Sequence, residues 1–151
     1  MADLPLLLLV DDDPNDEELA RLALQRIGIP HLLRVARDGA EALDWLFAEG
    51  AHAGRDPATA PRVVLLDLKL PKVNGIEVLA ALRHDARTRL LPVVVFTSSN
   101  EDKDLQESYR RGANAYVRKP IDFGEYKRLI ADVGTFWMTH NQPPGVRIEG
   151  P

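Results

Sequence analysis

Six polar side chains in this 151-residue chain stand where chemistry could be done: Asp11, Asp12 and Asp13, then Asp67, Thr97 and Lys119. Short, largely apolar runs lead into them: LLLLV before Asp11, VVLL before Asp67, VVVF before Thr97 and AYV shortly before Lys119. One polar residue after such a run is ordinary. Carboxylates after two runs, a hydroxyl after a third and an amine after a fourth make a constellation if those runs are neighbouring strands. Three carboxylates about 5 Å apart would repel by roughly 3 kcal/mol per pair at an effective dielectric near 20. Lys119 offsets part of this, and a hard divalent cation offsets more. An oxygen-only donor set without His or Cys favours Mg²⁺ over zinc, and Mg²⁺ leaves positions for water and phosphate oxygens. The residue types therefore suit bringing a phosphoryl group to a carboxylate.

Each residue also has a plainer assignment. Asp13, before Pro14, reads as a helix cap, and Asp16, Glu17 and Glu18 read as a solvated acidic first turn, favourable with the helix dipole. Asp67 by itself would cap a turn, with Asn74–Gly75 an ordinary turn nearby. Lys119 by itself would be a surface lysine and Thr97 a β-branched strand residue. It is their combination, in this order along the chain, that carries the chemical reading.

The elements that must position them follow from hydrophobic period. Runs at 6–10, 32–36, 63–66, 93–96 and 115–117 have strand length, and LLLLV, VVLL and VVVF do not alternate with polar residues, as suits strands covered on both faces. Between them lie stretches of helical period: Leu19, Leu22, Ala23 and Ile27; Ala42, Leu43, Leu46 and Phe47; Val78, Leu79 and Leu82; Leu105 and Tyr109; and a long stripe from Phe123 through Tyr126, Leu129, Ile130 and Val133 to Phe136 and Trp137. Pro14 marks a first helical turn, Ser98 with Glu101 reads as a capping box, and Gly28, Gly50 and Gly112 read as helix ends. Residues 51–61 read as a loop insertion and 141–151 as a tail after a single domain spanning 1–140. Five βα units imply an open, doubly wound parallel sheet, whose functional crevice lies outside the carboxyl ends of its strands.

Composition narrows the classes. The chain is 45% hydrophobic and 28% charged, enough for a core. It has no cysteine, which excludes disulfides and thiol chemistry. A formal net charge of −4 argues against non-specific nucleic-acid binding, and the early apolar run is too short for a membrane span. The chain reads as a cytoplasmic protein.

The segments LLLLVDDDP, LLDLKLPKVNG, VVVFTSS and GANAYVRKP, in this order, resemble the receiver domain of bacterial two-component response regulators. The resemblance implies an α/β, flavodoxin-like sheet of five strands in the order 2-1-3-4-5 with five helices. It implies Asp67 as phospho-acceptor from a phosphohistidine on a sensor histidine kinase. It implies Mg²⁺ bound directly by Asp12, with Asp11 helping through water, and by Asp67 and the backbone carbonyl of Lys69. Lys119 would contact a phosphoryl oxygen, Thr97 would turn to the phosphate, and Tyr116 would change rotamer with it. The Lys119–Pro120 bond resembles one that is usually cis. Lys69 and Ser99 occupy positions that tune loss of the phosphoryl group. DGAEALDWLF, the Pro-containing insertion and the extended fifth helix ending in GTFWMTH resemble more narrowly the stand-alone regulators paired with phytochromes, so the expected kinase is of phytochrome type.

Two rivals remain open at this stage. A phosphohydrolase of the haloacid-dehalogenase type would use Asp11 and Asp13 and leave Asp67 incidental, although no acidic pair follows the lysine. A pseudo-receiver would bind partners without phosphorylation, although no key residue is lost. With no output domain expected, the signal would pass by contact with a downstream protein or phosphotransfer protein, and the chain would be no enzyme beyond assisting its own phosphorylation and dephosphorylation. Phe136, Trp137 and Met138 cannot all face inward on a helix, so the fifth helix and a C-terminal arm carrying Pro143, Pro144, Val146 and Ile148 point to a homodimer.

Overall fold

A computed structural model describes residues 4–56 and 60–144. Its strands are β1 (Leu6–Val10), β2 (Leu32–Ala36), β3 (Val63–Leu66), β4 (Val93–Thr97) and β5 (Ala115–Arg118), all parallel, in the order β2-β1-β3-β4-β5. The helices are α1 (Pro14–Gln25), α2 (Gly39–Phe47), α3 (Gly75–His84), α4 (Asp102–Arg110) and α5 (Phe123–Thr135). This is the flavodoxin-like arrangement expected. Among the described residues no helix is long and apolar enough to cross a membrane.

Strand side chains alternate between faces, so each continuous apolar run feeds two cores. On one side Leu8, Val10, Val64 and Leu66 pack with Ala42, Trp45 and Leu46 of α2 and Val78, Leu79 and Leu82 of α3. On the other, Leu7, Leu9, Leu65, Val94 and Phe96 pack with Ala20, Ala23 and Leu24 of α1 and Tyr126 and Ile130 of α5. The register matters most for the site. Val10 is level with Leu66, and Asp67 N–H donates to the Val10 carbonyl, so the residues that end β1 and β3 emerge side by side.

Several local expectations are corrected. The second helix ends before Gly50: Ala48 takes the left-handed conformation (φ 54°), and Gly50–His52 forms a separate 3₁₀ turn. Behind it, Arg55 ties the insertion down by donating to the Trp45 and Leu46 carbonyls with its guanidinium 3.9 Å over the Trp45 ring. Ser98 and Glu101 make no capping box, since Glu101 precedes α4 without a side-chain cap bond. A capping box forms instead at Asn74 and Glu77, where an ordinary turn was expected, because Asn74 accepts from the Glu77 N–H and Glu77 returns the bond. Tyr109 is exposed, and the residue α4 buries is Ser108. Phe123 also lies in solvent, 69% exposed, so the apolar stripe of α5 enters the core only from Tyr126 onward. After Thr135 the helix widens into a π-helical turn, Phe136–His140, which buries Met138 and leaves Phe136 48% exposed. The Lys119–Pro120 bond is trans. The arm residues Val146 and Ile148 fall outside the described residues.

Gly75 joins fold to site. It opens α3, its N–H donates to the Leu68 carbonyl, and a Cβ there would stand 2.2 Å from the Asp67 carbonyl oxygen and 2.6 Å from Leu68 Cα. Backbone cannot swing aside as a side chain can. Gly75→Ala is expected to lower stability by about 1–3 kcal/mol in denaturant titration, against about 0.5 kcal/mol or less for Gly54→Ala, whose Cβ meets nothing within 4 Å.

Candidate functional site

The strand ends bring the singled-out residues together. Asp11 is buried, 1% exposed, directly after β1, with its N–H bonded to the Ala36 carbonyl at the end of β2. Asp67 is buried directly after β3. Carboxylate oxygens of Asp11, Asp12 and Asp67 lie within 4.8 Å of one another, with Asp12 on the solvent side. The backbone orients these carboxylates: Asp11 Oδ1 accepts from the Asp13 N–H at 3.0 Å, and Asp67 Oδ1 accepts from the Lys69 N–H at 3.3 Å.

Lys119 closes the cluster. Its N–H bonds to the Thr97 carbonyl, which fixes where the chain leaves β5, and its Nζ reaches Asp11 Oδ2 at 2.8 Å and Asp67 Oδ2 at 2.9 Å. The ammonium also lies 5.9 Å from the centroid of the Phe96 ring. Burial would lower the Lys119 pKa, but the charges of Asp67 and Asp11 and bonds to Asp11 and Asp16 outweigh it and hold the ammonium protonated well above its ordinary range. Burial dominates for Asp11, raising its pKa to about 6 although Lys119 pulls it down. One ammonium does not neutralise this cluster. Three convergent carboxylates of oxygen-only chemistry, one open to solvent, fit a hard divalent cation.

Thr97 and Tyr116 are not part of the cluster but meet at Ser99. Thr97 is fully buried, and its Oγ1 accepts from the Ser99 N–H at 3.3 Å. The Tyr116 hydroxyl donates to the Ser99 carbonyl at 3.2 Å. Ser99 Oγ in turn donates to Asp104 Oδ2 at 2.5 Å and accepts from the Glu101 N–H, so the same residue ties the end of β4 to the first turn of α4.

Asp16 is a residue of this cluster's surroundings that the sequence pattern does not single out. Its place in an acidic first turn reads as solvated, yet its Oδ2 accepts from Lys119 Nζ at 2.8 Å. A signal existed: Asp16 lies four residues before Ala20 and eight before Leu24, both buried, so it sits at the top of the sheet-facing stripe of α1. Asp13, in contrast, is the cap it was read to be, accepting from the Asn15 N–H at 2.8 Å. That use of Asp13 disfavours the phosphohydrolase reading, which needs Asp11 and Asp13 as a working pair.

Comparison with known proteins agrees with this geometry. The response regulator receiver domain profile matches residues 7–131. FilR2, a probable methanogenesis regulatory protein of Methanothrix harundinacea (strain 6Ac), is 40% identical over 141 residues, covering 93% of this chain and 88% of the relative. The phosphorylated cyanobacterial phytochrome response regulator RcpA superimposes with a TM-score of 0.88 at 33% identity, over 95% of this chain and 100% of that one. The bacteriophytochrome response regulator RtBRR does so with a TM-score of 0.74 at 47% identity, over 97% of this chain and 88% of that one. A receiver profile spanning most of the chain, on a 2-1-3-4-5 sheet whose strand ends gather three carboxylates and a lysine, leaves one assignment: this chain belongs to the response regulator receiver family and is similar, within it, to phytochrome response regulators.

Proposed function

We propose that this chain is a response regulator receiver in which Asp67 accepts a phosphoryl group from the phosphohistidine of a sensor histidine kinase. The observation that carries the reading is Lys119 Nζ at 2.9 Å from Asp67 within a cluster of carboxylates suited to a divalent cation. Phosphoryl transfer asks for in-line positioning and charge neutralisation rather than covalent help from side chains, and these are what this cluster offers. Mg²⁺ held by Asp11, Asp12, Asp67 and the Lys69 carbonyl would supply positive charge at the transferring group. Lys119 donates to a phosphoryl oxygen, and the Thr97 hydroxyl gives up the bond it accepts from the Ser99 N–H and donates to the phosphate. Loss of that bond is felt by Tyr116 and by α4, because both hold Ser99.

The receiver unit occupies residues 1–140, with 141–151 as a tail. Similarity to RcpA and RtBRR supports a phytochrome-type kinase as partner. The protein acts in the cytoplasm, catalyses nothing beyond its own phosphorylation and dephosphorylation, and passes its signal to a downstream protein or phosphotransfer protein. It pairs as a homodimer through α5, its π-helical extension and the C-terminal arm. The half-exposed Phe136, edge-on to Trp137 at 5.2 Å between ring centres, supports that surface.

With a small phosphodonor and Mg²⁺, the wild type should gain one labile phosphoryl group by intact mass, and Asp67→Asn none. Thr97→Ala should take the label yet lose the accompanying change in amide exchange around Ser99 and α4. Label persisting in Asp67→Asn would overturn the acceptor assignment. Phe136→Ala should shift the solution mass toward monomer in analytical ultracentrifugation, and a monomeric wild type at micromolar concentration would remove the dimer.

The pH dependence follows from Asp11. The folded state holds its proton up to about pH 6, whereas the unfolded chain releases it near pH 4. The fold binds more protons between those values, so this stabilising contribution is full below pH 4 and lost as pH rises through about 6. A cation needs the ionised form. The rise in thermal midpoint caused by Mg²⁺ should therefore be large at pH 7.5 and shrink as pH falls through about 6, a loss that Asp11→Asn abolishes together with most of the shift itself.

A further inference from the structure

Lys119 has three donors, and three carboxylates occupy them: Asp11 Oδ2 at 2.8 Å, Asp67 Oδ2 at 2.9 Å and Asp16 Oδ2 at 2.8 Å. Asp11 and Asp67 belong to the cluster suited to a cation, and Asp67 is the proposed acceptor. Their oxygens are the ones that a metal ion and a phosphoryl group claim. Asp16 lies outside that cluster, on α1. Resting on the acceptor reading above, we infer that Asp16 is a positioning residue for phosphoryl transfer: it is the partner Lys119 keeps while its other two are engaged.

The Lys119 side chain is 8% exposed, so water has little access to replace a lost partner. Its ammonium sits on a flexible four-carbon stem with no preset fork, and its direction is set by the acceptors around it. The backbone that carries Asp16 is fixed by α1 and its contact with α5. Asp16 shares a helix face with the buried Ala20 and Leu24, in a first turn started by Pro14 and capped by Asp13, and its carbonyl accepts from the Tyr126 hydroxyl at 3.4 Å. The Tyr126 ring packs 5.3 Å from Phe96, the ring beneath Lys119. A charge fixed in place before the reaction acts on the developing phosphoryl charge without reorganising, which is where such donors gain their effect.

The test uses the full-length protein, Mg²⁺ and phosphoramidate, with the labelled residue mapped by peptide mass spectrometry. Asp16→Ala is expected to lower the saturating phosphorylation rate about tenfold by loosening Lys119, with the half-saturating donor concentration moved by no more than about twofold. Asp16→Asn, which keeps an oxygen acceptor at the same reach, should recover to within about threefold of the wild type. Thermal midpoints report folding, and Asp16→Ser, too short to reach Lys119, replaces Asp16→Ala if that variant does not fold. An Asp16→Ala rate equal to or above wild type, or an equal loss in Asp16→Asn, would overturn the inference. Absence of label on Asp67 in the wild type is a separate result and overturns the acceptor assignment instead.

Discussion

One ammonium among carboxylates is the interaction on which the rest of this structure depends. Asp11 and Asp67 are buried at the ends of adjacent strands, a placement that two anions tolerate poorly in a medium of low dielectric. Lys119, delivered by the edge of the sheet, makes the arrangement tolerable without cancelling it. The uncancelled remainder is negative charge of oxygen-only chemistry, which suits a hard divalent cation. Burial that raises the Asp11 pKa to about 6 is the cost of this poise.

Delivery of the three groups is a matter of backbone register. Parallel pairing sets Val10 level with Leu66 and Thr97 level with Arg118, so the residues that follow converge above the sheet. The surrounding turns are held by contacts that leave no slack, chief among them the bare Cα of Gly75 against the Asp67 carbonyl. The two cores beneath are mostly aliphatic, with Trp45 in one and Phe96 and Tyr126 in the other, and they seat the strands whose ends carry the cluster.

The side of the molecule around α4 is built differently. Its one buried residue is a serine, whose Oγ donates to the Asp104 carbonyl, and its start is tied through Asp104 to Ser99. An element anchored by polar contacts rather than by apolar burial has low local stability and shifts at modest cost. Ser99 bonds α4, Thr97 and Tyr116 at once, which ties the one α-helix with no buried apolar residue, among the described residues, to the end of β4.

How much of this was legible in the sequence divides along a physical line. The strands, the two-sided burial and the chemistry of Asp11, Asp67, Thr97 and Lys119 are carried by local period and by residue type at strand ends, and the strands were read within one residue at each end. Helix ends were read less well, because Ala48, Asn74 and the π-helical turn after Thr135 answer to packing that no short window contains. Membership of the site was decided by tertiary structure. Asp16 joins Lys119 across 103 positions of sequence, and Ser99 joins Tyr116 across 17. A first-turn aspartate looks the same to its neighbours whether it faces water or a buried lysine. The sequence by itself determined which chemical groups stand at the strand ends, since that follows from local pattern; only the packing of α1 and β5 on the sheet decided which of them touch, since hydrogen bonds depend on distance in space.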